Sequence, residues 1–506
     1  MFCKLRSYCL CGIDAIPVTV EIDLSDGLPA FDIVGLPDSA VKESKERVKS
    51  ALKNSGFEFP IKRITINLAP ADYRKEGSLY DLPIALGILC CLNYFPQSLL
   101  DDHFFAAELS LDGYLRHVKG LVPMLCQASL DAIPTCVLPS DTATTTHSLS
   151  HLSHLSLIYC THLKDVLAYL LQSIIPPCPK TSDSLPLPTY PDYSDVKGQE
   201  HAKRGLMVAA TGRHNTLLIG PPGSGKTMLA ERIPSILPPL TPLESLELSK
   251  IYSITTKSTL PPGRRPFRSP HHTLSLSGLA GGGASPQPGE ITLAHHGVLF
   301  LDELLEFSRL ALDTLRQPLE NKSIVLSRAH HTFTYPANFL LIASTNPCPC
   351  GYYPDVQKCS CDFHSIKRYL AKLSGPLLDR IDIHIETNPL QLSDLSNTIP
   401  SLSTAQMLEK MEQAYTIQTA RFASTPFKWN SEIPTSQLKQ FCPLSLSAEN
   451  LLNEWFNHFN ATARSYQRII RLARTISDLQ GSTIIDSSAM SEAINYRMLD
   501  RKFWNH

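Results

Sequence analysis

Along the 506-residue chain the rhythm of apolar and polar positions changes twice. Up to about residue 175, short runs such as Val18-Thr19-Val20-Glu21-Ile22 and Ile64-Thr65-Ile66-Asn67-Leu68 predict strands, and the pattern from Ser39 to Asn54 predicts a helix. This is the signature of a mixed α/β domain over residues 1–175. A proline-rich stretch without periodicity, residues 176–193, predicts a linker. From 194 to 390 the apolar runs are continuous and end in polar residues, as buried parallel strands do: Thr216 to Ile219, Val298 to Leu301 and Leu340 to Thr345. Residues 391–506 read as helical to the end. There Ile469, Leu472, Ala473, Ile476 and Leu479 share one face, and Gly481 is placed as a stop. The chain shows no internal repeat.

Composition narrows the class without deciding it. A net charge of −1 gives no global field toward nucleic acid or membrane, so any such binding must use local patches. The start of the chain lacks the basic and apolar blocks of a signal peptide. The longest apolar stretch, Leu82 to Phe95, falls short of the ~20 residues that span a bilayer. The 14 cysteines are too sparse for a disulfide scaffold at this length. A cytoplasmic protein without a membrane partner is expected.

The chemistry lies at the polar ends of the continuous runs. After Ile219 comes GPPGSGKT: Gly220, Pro221, Pro222, Gly223, Ser224, Gly225, Lys226 and Thr227, followed by a helical pattern from Met228. This strand–loop–helix context is the one in which backbone N–H groups wrap a polyphosphate. Lys226 supplies a charge to the β and γ phosphates, and Thr227 a hydroxyl to Mg²⁺. The run Val298 to Leu301 ends in Asp302 and Glu303, a pair suited to anchor Mg²⁺ and to orient and deprotonate water. Asn346, after Leu340 to Thr345, is either a γ-phosphate contact or a turn-forming residue. Arg380 follows Gly375 to Asp379, and Arg464 opens a helical stretch. Each is either a cation for phosphoryl transfer or a surface ion pair.

Two further clusters stand out. The stretch from Lys226 to Asp302 is longer than one crossover helix requires, and it carries Arg264, Arg265, Phe267, Arg268, His271 and His272, then a flexible glycine-rich segment from Gly278 to Gly289. Arginines with an interleaved aromatic suit a loop that grips phosphates and stacks a base. Lys322 to Tyr335 reads as a hairpin with Arg328, His330 and His331 at its tip. Solvated loops or subunit contacts are the alternative for both. Cys348, Cys350, Cys359 and Cys361 form two close C-x-C pairs, which suit a structural Zn²⁺ or else stay as thiols or disulfides.

Gly198-Gln199, GPPGSGKT, Leu301-Asp302-Glu303, Ser344-Thr345-Asn346, Pro376 to Arg380 and Arg464 together resemble an AAA+ ATPase. Arg265 to Thr273 (RPFRSPHHT), Asn346 to Tyr353 (NPCPCGYY) and the long phrase Gly27 to Pro60 narrow the resemblance to the YifB/ComM family of magnesium-chelatase-like ATPases, over essentially the whole chain. The resemblance implies an AAA+ core over 194–390 with a helix-2 insert, hairpin and cysteine loop, and a C-terminal helical lid of magnesium-chelatase type over 391–506. It implies ATP and Mg²⁺ at Gln199, the P-loop and Asp302, with Glu303 as base, Asn346 as sensor 1, Arg380 as trans-acting finger and Arg464 as sensor 2. It further implies a homohexameric ring that branch-migrates single-stranded or branched DNA, with the helix-2 insert and hairpin facing a central pore. The N-terminal domain resembles the Lon-protease-like fold, with Lys75-Glu76-Gly77-Ser78 beside the nucleophile position; that position is Leu79 here, and no catalytic lysine matches, so peptidase activity is not expected. A chelatase motor subunit and a protein-remodelling ATPase are the competing readings.

Overall fold

The computed structural model describes residues 1–143, 154–178, 190–255, 263–283, 286–327, 332–355, 357–389, 401–459 and 461–504. The chain divides into two compact units, one of residues 1–187, 240–263 and 327–333 and one of 188–239, 264–326 and 334–506.

The first unit is built on a seven-stranded mixed sheet. Its strands are β1 (Phe2–Cys11), β2 (Asp14–Ser25), β3 (Ala30–Val34), β4 (Arg63–Ala69), β5 (His103–Phe105), β6 (Thr135–Pro139) and β7 (Ser156–Cys160), in the order β3-β4-β2-β1-β5-β6-β7. Helix α1 (Ser39–Asn54) starts at Asp38, whose side chain accepts from the Val41 N–H. Helix α2 (Asp81–Cys91) is apolar on every side, and all of its residues are buried. The one charge on α2, Asp81, is fully buried and is met by Arg47 of α1 through Nε–Oδ2 and Nη2–Oδ1 bonds of 2.6 and 3.0 Å. Helices α3 (Leu121–Leu130) and α4 (Leu163–Gln172) complete this core.

Residues 240–263, which lie within the stretch read as the nucleotide-binding domain, belong to this first unit instead. Their helix Pro242–Ser253 packs on α3, Leu246 joins the first core, and the Gly120 N–H donates to the Ser253 carbonyl at 2.9 Å.

The second unit carries five parallel strands: β8 (Thr216–Ile219), β9 (Phe267–Arg268), β10 (Val298–Leu301), β13 (Leu340–Thr345) and β14 (Ile383–Glu386). Their order is β9-β10-β13-β8-β14. Between β10 and β13, β11 (Ser323–Ser327) and β12 (Thr332–Pro336) make a two-stranded sheet. Strands β8, β10 and β13 are buried along their length, which explains their unbroken apolar sequence. Helix α5 (Glu200–Gly212) packs beside β14, and α6 (Lys226–Glu231) follows β8. The C-terminal part is helical: α7 (Thr404–Phe422), α8 (Leu446–Phe459), α9 (Ala463–Leu479) and α10 (Ser487–Asn495). Ile469, Leu472, Ala473 and Ile476 are buried on α9, while Leu479 is only partly buried. No helix among the described residues is long and apolar enough to cross a membrane.

Candidate nucleotide-hydrolysis site

Strand β8 lies between β13 and β14, with Ile219 paired to Thr345 on one side and Glu386 on the other. The loops after these strands therefore emerge at one carboxyl edge, where parallel α/β sheets receive their ligands. In the P-loop, Gly223 and Gly225 have φ of +77° and +85°, and a Cβ on either would meet nothing within 4 Å. The backbone thus requires glycine while leaving open space above it. A Cβ on Gly220 would run into Thr387.

Lys226 opens α6 and turns its ammonium back over the loop. It donates to the carbonyls of Gly220 and Pro221 at 2.8 and 2.9 Å and to Asn346 Oδ1 at 3.3 Å. Burial pushes its pKa down to about 8, against the opposing pull of Asp302 and Glu303. Thr227 Oγ1 donates to Asp302 Oδ2 at 2.9 Å, and the Ser344 hydroxyl donates to Asp302 Oδ1. The expected Mg²⁺ ligands therefore stand side by side, with Ser344 fixing the carboxylate. Glu303 sits in the left-handed region at φ 51°, with its N–H on Ser344 Oγ at 3.3 Å and its carboxylate half-exposed. His272 Nδ1 is 3.5 Å from Glu303 Oε2. Gln199 ties the loop to the strand beyond, donating to the carbonyls of Ser224 and Asn388 at 3.3 and 2.6 Å. Open glycine backbone, a buried ammonium, a paired hydroxyl and carboxylate and a half-exposed carboxylate beside them are the donor set that ATP with Mg²⁺ requires.

The structure thus gathers Gln199, Lys226, Thr227, Asp302, Glu303 and Asn346. Arg380 and Arg464 are gathered elsewhere. Both reach Glu320, Arg464 Nη2 at 3.5 Å, and Arg380 also donates to the Pro376 carbonyl at 2.6 Å. With Lys322, Arg468 and Arg471 they line a basic cleft. Among the described residues, neither Arg380 nor Arg464 bonds to the P-loop.

The arginines expected to grip DNA are largely taken up by the fold. Arg265 is buried, and its guanidinium donates to the carbonyls of Pro238, Pro239 and His296 at 2.6, 3.1 and 2.7 Å. Arg268 closes on Glu290 with bonds of 2.6 and 2.9 Å. Arg264 stacks on Tyr190, its guanidinium carbon 4.6 Å from the ring centroid. These residues do not form the free loop that their sequence suggested, because each finds a partner distant in sequence. The glycine-rich segment is likewise structured where it is described, as the helix Leu276–Ala280 and a pairing of Gly281–Gly282 with Gln287–Pro288. Lys322 pairs with Glu432. Arg328, His330 and His331 lie outside the described residues.

Sγ atoms of Cys348 and Cys350 are 3.3 Å apart, those of Cys348 and Cys359 3.8 Å, and those of Cys350 and Cys359 3.5 Å. Cys361 joins the same group, all four sulfurs lying within 4.8 Å of one another, and none is disulfide-bonded. In the first unit Leu79 is buried, the Ser78 hydroxyl donates to Glu108, and the buried Lys75 ammonium donates to the Pro70 carbonyl.

Sequence reasoning did not assign Ser344, His272 or Thr387 to the site. Ser344 stands in the quoted Ser344-Thr345-Asn346 run, and its inward position two residues before Asn346 was the available signal. Nothing in the spacing pairs His272 with Glu303.

Residues 192–395 match the family described as magnesium chelatase, subunit ChlI; residues 20–142 match the family described as subunit ChlI of Mg-chelatase, and residues 401–497 the ChlI C-terminal family. The chain is 42% identical to the YifB protein of Escherichia coli over 97% of its own length and 96% of the other. It is 40% identical to competence protein ComM of Haemophilus influenzae, again over 97% and 96%. Similarity to the magnesium-chelatase 67 kDa subunit of Chlorobaculum parvum is 28% and spans 31% of this chain and 23% of that one. Sharing nearly its whole length with these two relatives and matching the magnesium-chelatase family over its nucleotide-site region, the chain belongs to the YifB/ComM family of magnesium-chelatase-like AAA+ ATPases.

Proposed function

We propose that this protein is an ATP- and Mg²⁺-dependent ring motor that moves on single-stranded or branched DNA and serves recombination of incoming DNA. The observation that carries the ATPase reading is the convergence of Lys226, Thr227, Asp302, Glu303 and Asn346 at one sheet edge. Lys226 and the loop amides hold the polyphosphate. Asp302 and Thr227 would hold Mg²⁺, which when bound would supply positive charge to the phosphates. Glu303 takes the proton of the attacking water, and Asn346 aligns it.

Among the described residues Lys226 is the cation at this edge, and neither Arg380 nor Arg464 joins it. Arg380 and Arg464, paired on Glu320 in a basic cleft away from the P-loop, are what a neighbouring copy would present to it. A closed ring of copies supplies every site in this way. We assign six copies by family resemblance.

The DNA reading rests on similarity to competence protein ComM over nearly its full length; the likeness to the chelatase subunit covers only a third of this chain. The arginines around Phe267 lend it less support than their sequence suggested. We further read the first unit as a Lon-like fold without peptidase chemistry, because Ser78 is bonded to a carboxylate and Leu79 holds the nucleophile position.

The test is ATP hydrolysis by the purified protein alone and with single-stranded, duplex and four-way-junction DNA, at two salt concentrations. Stimulation that fades as salt rises is expected from phosphate contacts. Hydrolysis indifferent to all three DNAs would contradict the DNA reading and favour a protein-remodelling motor.

A further inference from the structure

We infer that Cys348, Cys350, Cys359 and Cys361 bind one zinc ion, and that this centre holds sensor Asn346 and the P-loop in register. The metal assignment stands on the cysteine geometry; the coupling rests on the nucleotide-site reading above.

A thiolate tetrahedron with Zn–S bonds of about 2.3 Å has edges of about 3.8 Å. Sulfur separations of 3.3, 3.5 and 3.8 Å already approach that figure. They are too short for the thiolates of a polynuclear iron–sulfur cluster, whose irons and sulfides stand between the ligands. Four sulfurs around one point select a tetrahedral, thiophilic ion, and zinc is the redox-inert choice for a structural thiolate site. Tyr353 donates its N–H to Cys348 Sγ at 3.4 Å, the kind of outer bond that orients a ligand.

The loop needs such a centre. Between the end of β13 at Thr345 and the helix Phe363–Leu370, the described residues form no helix or strand. Among the four cysteines only Cys348 is buried; the other three are partly exposed. Apolar burial alone gives this segment little stability, whereas metal binding can supply folding free energy directly.

The same loop touches the catalytic edge. Asn346 lies two residues before the ligand Cys348. Gly351, with φ +87°, lies against the P-loop so closely that a Cβ there would be 2.6 Å from Pro222 Cδ and 3.8 Å from Asn346 Cγ. Asn346 Oδ1 in turn accepts from Lys226. The path from the metal to the phosphate-binding lysine therefore runs through Cys348 and Asn346 on one side and Gly351 and Pro222 on the other.

The experiment begins with metal analysis of the full-length protein purified without chelator or added zinc. About one zinc per chain is expected, with cobalt replacement giving the visible spectrum of a tetrahedral thiolate site. Cys359→Ser and Cys361→Ser should bind far less metal. Gly351→Ala should keep its zinc yet bind ATP several-fold more weakly, read by direct nucleotide binding as well as by turnover. Wild-type protein that contains no zinc and takes up neither zinc nor cobalt overturns the metal site. Unchanged ATP affinity and turnover in both Gly351→Ala and metal-stripped protein overturns the coupling. Bound zinc in a chain that neither binds nor hydrolyses ATP upholds the metal site and overturns its coupling, so the two readings fail separately.

Discussion

In the first unit Arg47, Ser78 and Lys75 are taken up by partners within the fold. Arg47 closes on Asp81 inside an apolar helix pair, Ser78 bonds to Glu108, and Lys75 spends its ammonium on a backbone carbonyl. At the carboxyl edge of the second unit the polar groups converge instead on open space. Thr227 and Asp302 touch side by side, a Cβ on Gly223 or Gly225 would meet nothing within 4 Å, and the Glu303 carboxylate stays half-exposed. A polar group consumed by its own fold contributes stability; a set of polar groups aimed at a shared vacancy in the packing awaits a ligand. By this criterion Arg265 and Arg268 resemble the first unit, although they lie beside the nucleotide edge in sequence.

The contrast breaks most visibly at Glu303. Glu303→Gln is expected to lower ATP hydrolysis by roughly 10²–10⁴-fold, the usual worth of a general base. Its melting temperature should stay at the wild-type value, as checked by turnover and calorimetry on one preparation. Arg47→Ala should do the reverse. It leaves Asp81 buried without its partner at the cost of about 3 kcal/mol, the low end for a broken buried pair, because Arg47 keeps 19% of its side chain exposed. Chemical denaturation should show the loss, while hydrolysis well below the melting point stays near wild type.

A smaller effect comes from pH. Burial holds Lys226 near a pKa of about 8, and only the ammonium attracts phosphate. Because the folded-state pKa is depressed, the cation is present below pH 8 and is lost above it. The KM for ATP should accordingly rise on going from pH 8 to 9, by about fivefold. A flat KM across that interval would show that Lys226 of the unliganded protein still holds its proton at pH 9. At the bottom of the scale, Ser78→Ala should leave both ATP hydrolysis and DNA stimulation unchanged, since its hydroxyl serves only the Glu108 bond.

Much of the nucleotide edge was legible because its chemistry is written contiguously. GPPGSGKT fixes loop and lysine together, and the buried strands ending in Asp302-Glu303 and Asn346 announce their own direction. Long-range pairings were not legible. Arg265 finds carbonyls at Pro238, Pro239 and His296, and Arg268 finds Glu290, partners that no local period reveals. The same limit hid His272 from Glu303. It also hid the membership of 240–263 in the first unit, which depends on Pro242–Ser253 meeting Leu121–Leu130 across a large gap in sequence. The cysteine cluster was legible as a set, yet its contact with the P-loop through Gly351 required coordinates.

The claim that each site is completed by another copy is tested most directly by mixing Lys226→Ala protein with Arg380→Ala protein and measuring ATP hydrolysis against mixing ratio. Each variant alone should be nearly inactive. Mixed interfaces that join an intact P-loop to an intact Arg380 should restore partial activity, with a maximum at intermediate ratios. If no ratio restores hydrolysis although the two variants assemble together, Arg380 does not act across an interface and the shared-site account is wrong.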